Sequence, residues 1–462
     1  MLNMTAGNPL KLILVFVLPI LIGMFFQQLY AISDIVLIGH LLGIRSVAAV
    51  GAIMVVFVVM ISLIIGFSNG LTIVTAQRFG SNDEDGVRRS FATGLSLSVI
   101  MSIVATTLLV ADVPYILTLM NIPPELMPES TAFITLIGWG LTATVFYNYL
   151  SSIMRALGDS KTPLYFLIFA LFLNIILNFF FISFVGMGVA GSALGTIVAQ
   201  VISAIICGFW LWYKFPILRL KKASWKISKE DIKDHLRLSV PMGLQFFILS
   251  IGVVIVQRAA NAMGADIIAG FTAASRIEAI FFVPMISLGI ALATYSAQNF
   301  GAKKISRIRK GVYVCSMLSL CISILLALIV FLWGGELAAL MMKGATPKVI
   351  ATAEVYLQIT TLFYPILGQI FIYRQTEQGM GYAALPFIAC VAELFTRVFA
   401  AEYLGAKYGF IGLVYNGPIS WIAACAIVMI GYYIIIRKFR DGRCPKHFKD
   451  NLPYRPDAVD VP

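Results

Sequence analysis

The sequence predicts an all-α integral membrane protein with 12 transmembrane helices, arranged as two parallel, pseudo-symmetric six-helix bundles. Three observations support this fold class. Hydrophobic residues make up 60% of the 462 residues and charged residues only 12%; long apolar runs recur along the chain; and the second half repeats motifs of the first. This composition is far from that of a soluble domain. Because no water reaches the hydrocarbon core, the chain must cross it as helices of about 20 residues.

The apolar runs are continuous rather than alternating, as at 95–110 and 423–436, which excludes an outer-membrane β-barrel. The first run, from Leu10 to Ile38, is longer than the apolar region of a signal peptide and is interpreted as a retained span. Charged residues, glycines and prolines divide the runs. The predicted spans are 10–38, 47–77, 91–112, 131–154, 163–183, 189–213, 238–262, 268–297, 311–333, 351–373, 383–403 and 410–436.

Basic residues are distributed unevenly between the two sides of the predicted membrane. Of the 34 Lys and Arg residues, 27 lie in the tail, in the N-terminal segment as far as Lys11, or in the alternate loops that follow on the same side. The positive-inside rule then places both termini in the cytoplasm. We expect an N-terminal bundle at 1–213, a basic cytoplasmic linker at 214–237, a C-terminal bundle at 238–436 and a basic cytoplasmic tail at 437–462, in a multi-pass protein of the cell membrane.

The net charge of +12 is explained by membrane orientation, and we expect no nucleic-acid partner. Short loops leave no room for a soluble catalytic domain, and no Walker-type phosphate loop is present. The six cysteines and three histidines show neither a disulfide framework nor metal-ligand spacing. We therefore expect a monomeric protein with no cofactor and no metal site. An integral-membrane enzyme remains the alternative of a different class.

An internal repeat supports the two-bundle architecture. Ala-Gln-x-Phe-Gly occurs at 76–80 and again at 297–301, an offset of 221 residues. Pro19 and Pro241 are offset by 222 residues, and Pro163 and Pro386 by 223. Because each half contains an even number of spans, the two repeats are parallel and related by an axis along the membrane normal. Substrate would then pass between the bundles.

The motifs together resemble the multidrug and toxic compound extrusion (MATE) family, and its prokaryotic DinF-like branch most nearly. The resemblance covers essentially the whole chain. The segments that carry it are the first span with Asp34 and Gly39, both Gln-x-Phe-Gly span ends, 156–163 (Ala-Leu-Gly-Asp-Ser-Lys-Thr-Pro), 174–178 (Asn-Ile-Ile-Leu-Asn) and the stretch from Arg276 through Pro284 and Gly289 to Ala302.

The resemblance implies a secondary exporter, an antiporter in which inward flow of H⁺ or Na⁺ drives an organic cation or other amphipathic drug outward by alternating access. Two other transporter types remain as alternatives. The major facilitator superfamily shares twelve spans, but its loop signature is only half matched at 80–89. A flippase-type exporter of a lipid-linked or amphipathic metabolite is the second.

Ionisable groups inside spans are costly and need an explanation. Asp34 has no basic neighbour within its own span, and the resemblance places the cation-coupling carboxylate of the family here. Asn174 and Asn178 are spaced i,i+4, and Thr196 follows in the next span. We expect Asp34, Asn174, Asn178 and Thr196 to form the cation site, although the amides could serve only helix packing. DinF-like relatives usually carry Asp at the position of Asn178, which leaves the coupling ion open.

Four further charged residues lie within the predicted spans of the second half. Glu393 and Arg397 are spaced i,i+4 and can pair on one helix face. Arg276 and Glu278 are spaced i,i+2 and need partners on other helices. We expect a buried charge network of Arg276 or Glu278 with Glu393 and Arg397, either structural or functional.

Aromatic, amide and methionine side chains cluster in the first and fourth spans. Such patches suit flat amphipathic cations through cation–π and adaptable sulfur contacts, although aromatic residues more often pack or face lipid. The candidate substrate-binding residues are Met24, Gln27, Tyr30, Phe146, Tyr147 and Tyr149.

The charge distribution generates a prediction about orientation. A cysteine introduced at Ser224, in the basic 214–237 segment, should be unreactive toward a membrane-impermeant thiol reagent applied to intact cells and reactive in inverted vesicles. Labelling from outside intact cells would show that the orientation is reversed.

Overall fold

The computed structural model describes residues 2–342 and 344–440, and the part described is built of helices with no strand. Its α-helices are α1 (Pro9–Leu42), α2 (Ile44–Gly80), α3 (Glu84–Val110), α4 (Val113–Leu119), α5 (Met127–Ala156), α6 (Lys161–Phe179), α7 (Val189–Lys214), α8 (Lys229–Asn261), α9 (Ala265–Gly301), α10 (Ile305–Met341), α11 (Pro347–Thr361), α12 (Tyr364–Gly379), α13 (Ala384–Phe399), α14 (Gly405–Val414) and α15 (Asn416–Arg440).

Eleven of these helical stretches in the described chain are long and apolar enough to cross a bilayer. The tenth predicted span is the exception, because it is broken into α11 and α12, which meet at an angle of 53°. Counting that bent pair as one span gives twelve, so the predicted fold class is confirmed. The break follows from Pro365, which cannot continue the hydrogen-bond ladder of α11.

The two halves repeat each other in backbone geometry as well as in sequence. α2 and α9 are each 37 residues long, and a π-helical segment follows both α6 (Phe180–Phe184) and α13 (Ala400–Leu404). Gly188 and Gly409, 221 residues apart, have φ angles of 58° and 62°. Only glycine adopts that conformation without strain. The repeat therefore preserves the irregular positions of the backbone, where the fewest residue types are tolerated.

The described residues form two compact units. Unit 1 contains residues 2–3 and 18–247, and unit 2 contains residues 4–17 and 248–440. These units differ from the predicted bundles in two segments, because 4–17 belongs with the second unit and α8 belongs with the first up to residue 247. Pro19 and Pro241 lie inside α1 and α8, close to the points where each helix passes from one unit to the other.

Within each unit, the repeated Gln-x-Phe-Gly end contacts either the first turn of a long helix or the segment before it. In unit 2, Gln298 Oε1 accepts a hydrogen bond of 3.1 Å from the Met4 amide, and Asn299 Nδ2 donates one of 3.0 Å to the Met4 carbonyl. In unit 1, Arg78 forms an ion pair of 2.5 Å with Asp231 in the first turn of α8. The motif thus holds the segment before α1 in unit 2 and the first turn of α8 in unit 1.

The predicted 214–237 linker is partly helical. It contains short 3₁₀ turns at Pro216–Leu218 and Lys222–Trp225, and α8 already begins at Lys229. Ser228 and Asp231 form the reciprocal capping bonds that start α8. Ser224 is buried beside Lys221, so exposed Lys226 is the better position for the cysteine that tests orientation. The predicted tail begins within α15, and its residues 441–462 lie outside the described residues.

Candidate functional site

The first and sixth α-helices position Asp34. The Cα of Gly23 on α1 is close enough to α6 that a Cβ there would contact Leu164 and Leu167 at 3.7 and 3.8 Å. Eleven residues further along α1, Asp34 accepts a hydrogen bond of 2.8 Å from Asn178 Nδ2 on α6. Both contacts advance in the same direction along the two helices. α1 and α6 therefore run parallel.

Asp34 lies at the end of a chain of polar side chains. Asn178 Nδ2 also lies 3.4 Å from Asn174 Oδ1, and Asn174 Nδ2 donates a bond of 2.9 Å to Thr196 Oγ1 on α7. Asn174 and Asn178 are fully buried, and Thr196 is 7% exposed. The structure thus brings together the four predicted coupling residues, drawn from three helices of unit 1.

Glycines of α7 and the π-helical end of α6 make room for the Asn178 amide. A Cβ at Gly195 would overlap with Asn178 Oδ1, and a Cβ at Gly191 would crowd the Phe181 backbone at 3.0 Å. The π segment widens the backbone at this point. Asn178 Oδ1 points at Gly195 and accepts no N–H or O–H bond. The amide is held so that its NH₂ group faces Asp34.

Asp34 lies further from the end of its helix than the predicted first span, which ends at residue 38, indicates. α1 continues to Leu42, eight residues beyond Asp34, which is about 12 Å along the helix axis. No ion pair of Asp34 is found in the described chain, residues 2–342 and 344–440. The carboxylate therefore has amide partners but no compensating positive charge.

The predicted substrate residues of α1 lie near this carboxylate. Tyr30 is four residues before Asp34 on the same helix face, and its buried hydroxyl has no hydrogen-bond partner. Gln27 is exposed and Met24 is partly buried. These three side chains continue from Asp34 along one side of α1.

The predicted aromatic group on α5 is not one surface. Phe146 lines an apolar groove of about 360 Å³ with Ile197 and Val201 of α7, whereas Tyr147 packs partly buried against the core of unit 1. Tyr149 is fully buried, donates to the Phe91 carbonyl at 3.0 Å and stacks on the Phe91 ring. Including Tyr149 in a substrate site is therefore wrong for this conformation, because neighbouring helical residues point in different directions.

Unit 2 contains a buried ion-pair cluster. Arg397 Nη2 contacts Glu393 Oε1 at 3.0 Å, which is the predicted i,i+4 pair. Arg374 Nη2 on α12 contacts the other oxygen, Oε2, at 2.9 Å. Glu393 thus holds two guanidinium groups, one from its own helix and one from α12.

Glu278 lies next to the ion-pair cluster around Glu393, but Arg276 does not. The Tyr356 hydroxyl donates a bond of 2.8 Å to Glu278 Oε2, and Arg397 acts on Glu278 electrostatically without a direct ion pair. Arg276 is exposed and forms no ion pair with any described residue. The i,i+2 spacing turns the two side chains to different faces of α9, so the expected role of Arg276 in the network is wrong.

Sequence reasoning missed Arg374 and Glu377 on α12 because it ended the tenth span at residue 373. Both side chains are buried, at 4% and 0% exposure. The signal was present as a polar run, Arg-Gln-Thr-Glu-Gln at 374–378, with its two charges at i,i+3. Also missed was a buried histidine of unit 1, His235, which bonds Ser90 Oγ through Nε2 at 2.8 Å.

Comparison with known proteins gives a consistent result. The MatE family model matches residues 19–180 and 241–401. The chain is 26% identical over 451 residues to the probable multidrug resistance protein YpnP of Bacillus subtilis (strain 168), covering 95% of this chain and 99% of that protein. It is 22% identical over 431 residues to the multidrug export protein MepA of Staphylococcus saprophyticus, covering 91% and 92%.

Solved structures share the fold at low identity. One is the outward-facing conformation of a multidrug resistance MATE family transporter of the MOP superfamily, with a TM-score of 0.87 and 23% identity over 94% of this chain and 97% of that one. Another is a MOP superfamily transporter from Pyrococcus furiosus, described as having a binding pocket of reverse polarity that suggests a different function, with a TM-score of 0.86 and 23% identity over 94% and 98%.

The packing at Gly195 generates a prediction. Gly195→Ala should push Asn178 away from Asp34 and reduce transport by about tenfold, because the added methyl would occupy the position of Asn178 Oδ1. Gly51→Ala is the matched control, since a Cβ at Gly51 meets nothing within 4 Å. Both variants should be compared by initial transport rate per folded molecule. Equal rates for the two would show that the Asn178 position does not matter.

Proposed function

Because this chain belongs to the MatE family of multidrug and toxic compound extrusion transporters, we propose that it is a cation-coupled exporter of small amphipathic cations, with Asp34, Asn174, Asn178 and Thr196 as its coupling site. Members of this family are transporters and not enzymes. The observation that carries the proposal is the Asp34–Asn178 hydrogen bond of 2.8 Å, which places an acid among neutral partners with no ion pair.

The energetics of that site explain why it would respond to a cation. An ionised carboxylate in a low-dielectric interior is costly unless it is paired. Water can hydrate the carboxylate when the site is open to solvent. When the site closes and water is excluded, the charge must be neutralised. A bound cation or proton would therefore favour the closed site and shift the population between outward and inward states. Alternating access between the two bundles would follow.

The arrangement favours H⁺ over Na⁺. A sodium ion needs several oxygen ligands, but Asn178 presents its NH₂ group to Asp34 and turns Oδ1 toward Gly195. The Asn174 oxygen already lies against Asn178 Nδ2. Amide NH₂ groups stabilise a carboxylate rather than a metal ion. One acid with amide donors can bind and release a proton without recruiting further oxygens.

The substrate class follows from the residues next to Asp34. Tyr30 offers an aromatic ring one turn away, and Gln27 and Met24 extend that surface along α1. An organic cation over the Tyr30 ring would gain cation–π attraction and would compete with the proton for the charge of Asp34. That competition is the essential requirement of antiport. Tyr147 is the candidate contact on α5.

A second candidate is export of a lipid-linked or amphipathic metabolite. It is favoured by the apolar groove of about 360 Å³ between α5 and α7, with Trp139 65% exposed at its edge. Such a groove fits an acyl chain better than a soluble cation. Transport of a fluorescent lipid that the Phe146→Asn variant no longer moves would support this candidate.

The central prediction concerns Asp34→Asn. In proteoliposomes with pH and Na⁺ gradients imposed separately, gradient-driven export of a cationic dye should fall about tenfold or more, since Asn cannot bind a proton. Expression should be unchanged. Asp266→Asn, which removes a half-exposed acid of unit 2 that pairs with Lys348, is the control and should transport normally. Undiminished export by Asp34→Asn under an imposed pH gradient would contradict the proposal.

Asn178→Asp tests the choice of ion in the same assay. A second carboxylate beside the first should add oxygen ligands and make transport respond to the Na⁺ gradient. Wild-type transport driven by Na⁺ alone would show that the proton assignment is wrong, while leaving the location of the site intact.

A further inference from the structure

The buried charges of unit 2 form a line of alternating sign. Glu393 pairs with Arg374 and Arg397. Beyond Arg397 lies Glu278, on which Arg397 acts electrostatically. Beyond Arg374 lies Glu377, three residues along α12, on which Arg374 acts in the same way. The order is Glu278, Arg397, Glu393, Arg374 and Glu377, and we name these five residues the charge line.

The direction of the charge line follows from the helices. Arg397 is C-terminal to Glu393 on α13, and Glu377 is C-terminal to Arg374 on α12. These helices are joined by residues 380–383, and the contact of Arg374 with Glu393 across that connection shows that they fold back on each other, so their C-terminal directions are opposed. Glu278 and Glu377 therefore stand at opposite ends of the line, toward opposite membrane faces.

Glu377 has the least favourable environment for a charge. Its side chain is fully buried, and neither carboxylate oxygen has a hydrogen-bond partner. It is enclosed by the α15 backbone, because a Cβ at Gly431 would come to 2.7 Å from Glu377 Oε1. Glu278, by contrast, accepts a hydrogen bond from Tyr356 at Oε2, although its Oε1 has no hydrogen-bond partner. An ionised carboxylate without partners is far more costly than a neutral acid in the same place.

The other groups near Glu377 do not supply a second positive charge. On α9, Ser296 packs against Gly379 through its Cβ. Cys390 on α13 and Cys425 on α15 both lie within electrostatic range of Arg374, and Tyr432 follows Gly431 on α15. α10 contributes Arg309, which acts on Tyr432. Arg374 alone acts directly on Glu377, and it already contacts Glu393.

The number of charges in the charge line indicates which of its carboxyl groups carries a proton. Two arginines balance two ionised carboxylates, and the line contains three. Glu393 contacts two guanidinium groups, and Glu278 accepts a hydrogen bond from a tyrosine. We propose that unit 2 holds one exchangeable proton on Glu377, which is a proton-binding site separate from Asp34.

Release of this proton would change the pairing of Arg374. Glu377 is one turn from Arg374 on the same helix, so an ionised Glu377 competes with Glu393 for its guanidinium group. Arg397 would then hold Glu393 alone. The proton on Glu377 thus determines whether Arg374 connects α12 to α13. The contact would have two states, one with Glu377 protonated and one with Glu377 ionised.

The test uses infrared spectra of the purified, lipid-reconstituted protein. All variants are built on Asp34→Asn, so that Asp34 contributes no carboxylic-acid signal and the result does not depend on the proposed coupling site. A protonated carboxyl group gives a C=O band that shifts in D₂O. This band should be present in the Asp34→Asn parent and lost on adding Glu377→Gln. Glu336→Gln, at an exposed glutamate of α10, should retain it.

A second variant tests the charge count. Adding Glu278→Gln removes one anion from the line, so Glu377 should ionise and its band should disappear although Glu377 itself is unchanged. Thermal unfolding in detergent checks that each variant is folded, and neutral Glu377→Gln should unfold within the range of the Glu336→Gln control. An unchanged band after Glu377→Gln, its persistence after Glu278→Gln, or its loss on adding Na⁺ would overturn the proposal.

Discussion

A charge inside the hydrocarbon core has no water to stabilise it, and that constraint organises both units of this protein. Each intramembrane carboxylate must find hydrogen-bond donors, an opposite charge or a proton. Asp34 finds an amide donor from α6 and no ion pair among the residues that the structure describes. Glu393 finds two arginines. Glu377 finds one arginine that is already engaged. These three environments differ in what stabilises the carboxylate: a hydrogen-bond donor at Asp34, two opposite charges at Glu393 and, in our proposal, a proton at Glu377.

The same constraint applies to the backbone. Every irregular position in a membrane helix exposes polar groups that must be satisfied nearby. The irregular positions here recur in both halves, at the π segments after α6 and α13 and at Gly188 and Gly409. In unit 1 the π segment shapes the pocket into which Asn178 projects. The repeat thus preserves a local geometry, while the two units fill it with different chemistry.

Sequence reasoning predicted the architecture well because hydrophobic length and charge asymmetry act over whole helices. It also brought Asp34, Asn174, Asn178 and Thr196 into one group, since helical spacing and the family resemblance agreed there. It failed where the prediction depended on which face of a helix carries the side chain. Tyr149 and Arg276 lie within the right segments but face other elements. Arg374 and Glu377 were missed because α12 is polar enough to resemble a loop, and only its packing against α9 and α15 shows that it is buried.

The most direct test of the account is whether substrate and proton compete for Asp34. A cationic dye that the protein exports is added to purified protein in weakly buffered detergent solution, and the pH change is recorded at a series of starting pH values. The account predicts release of about one proton per chain from the wild type at its most responsive pH. It predicts the same release from Glu377→Gln and none from Asp34→Asn. Equal release from Asp34→Asn and the wild type would contradict it.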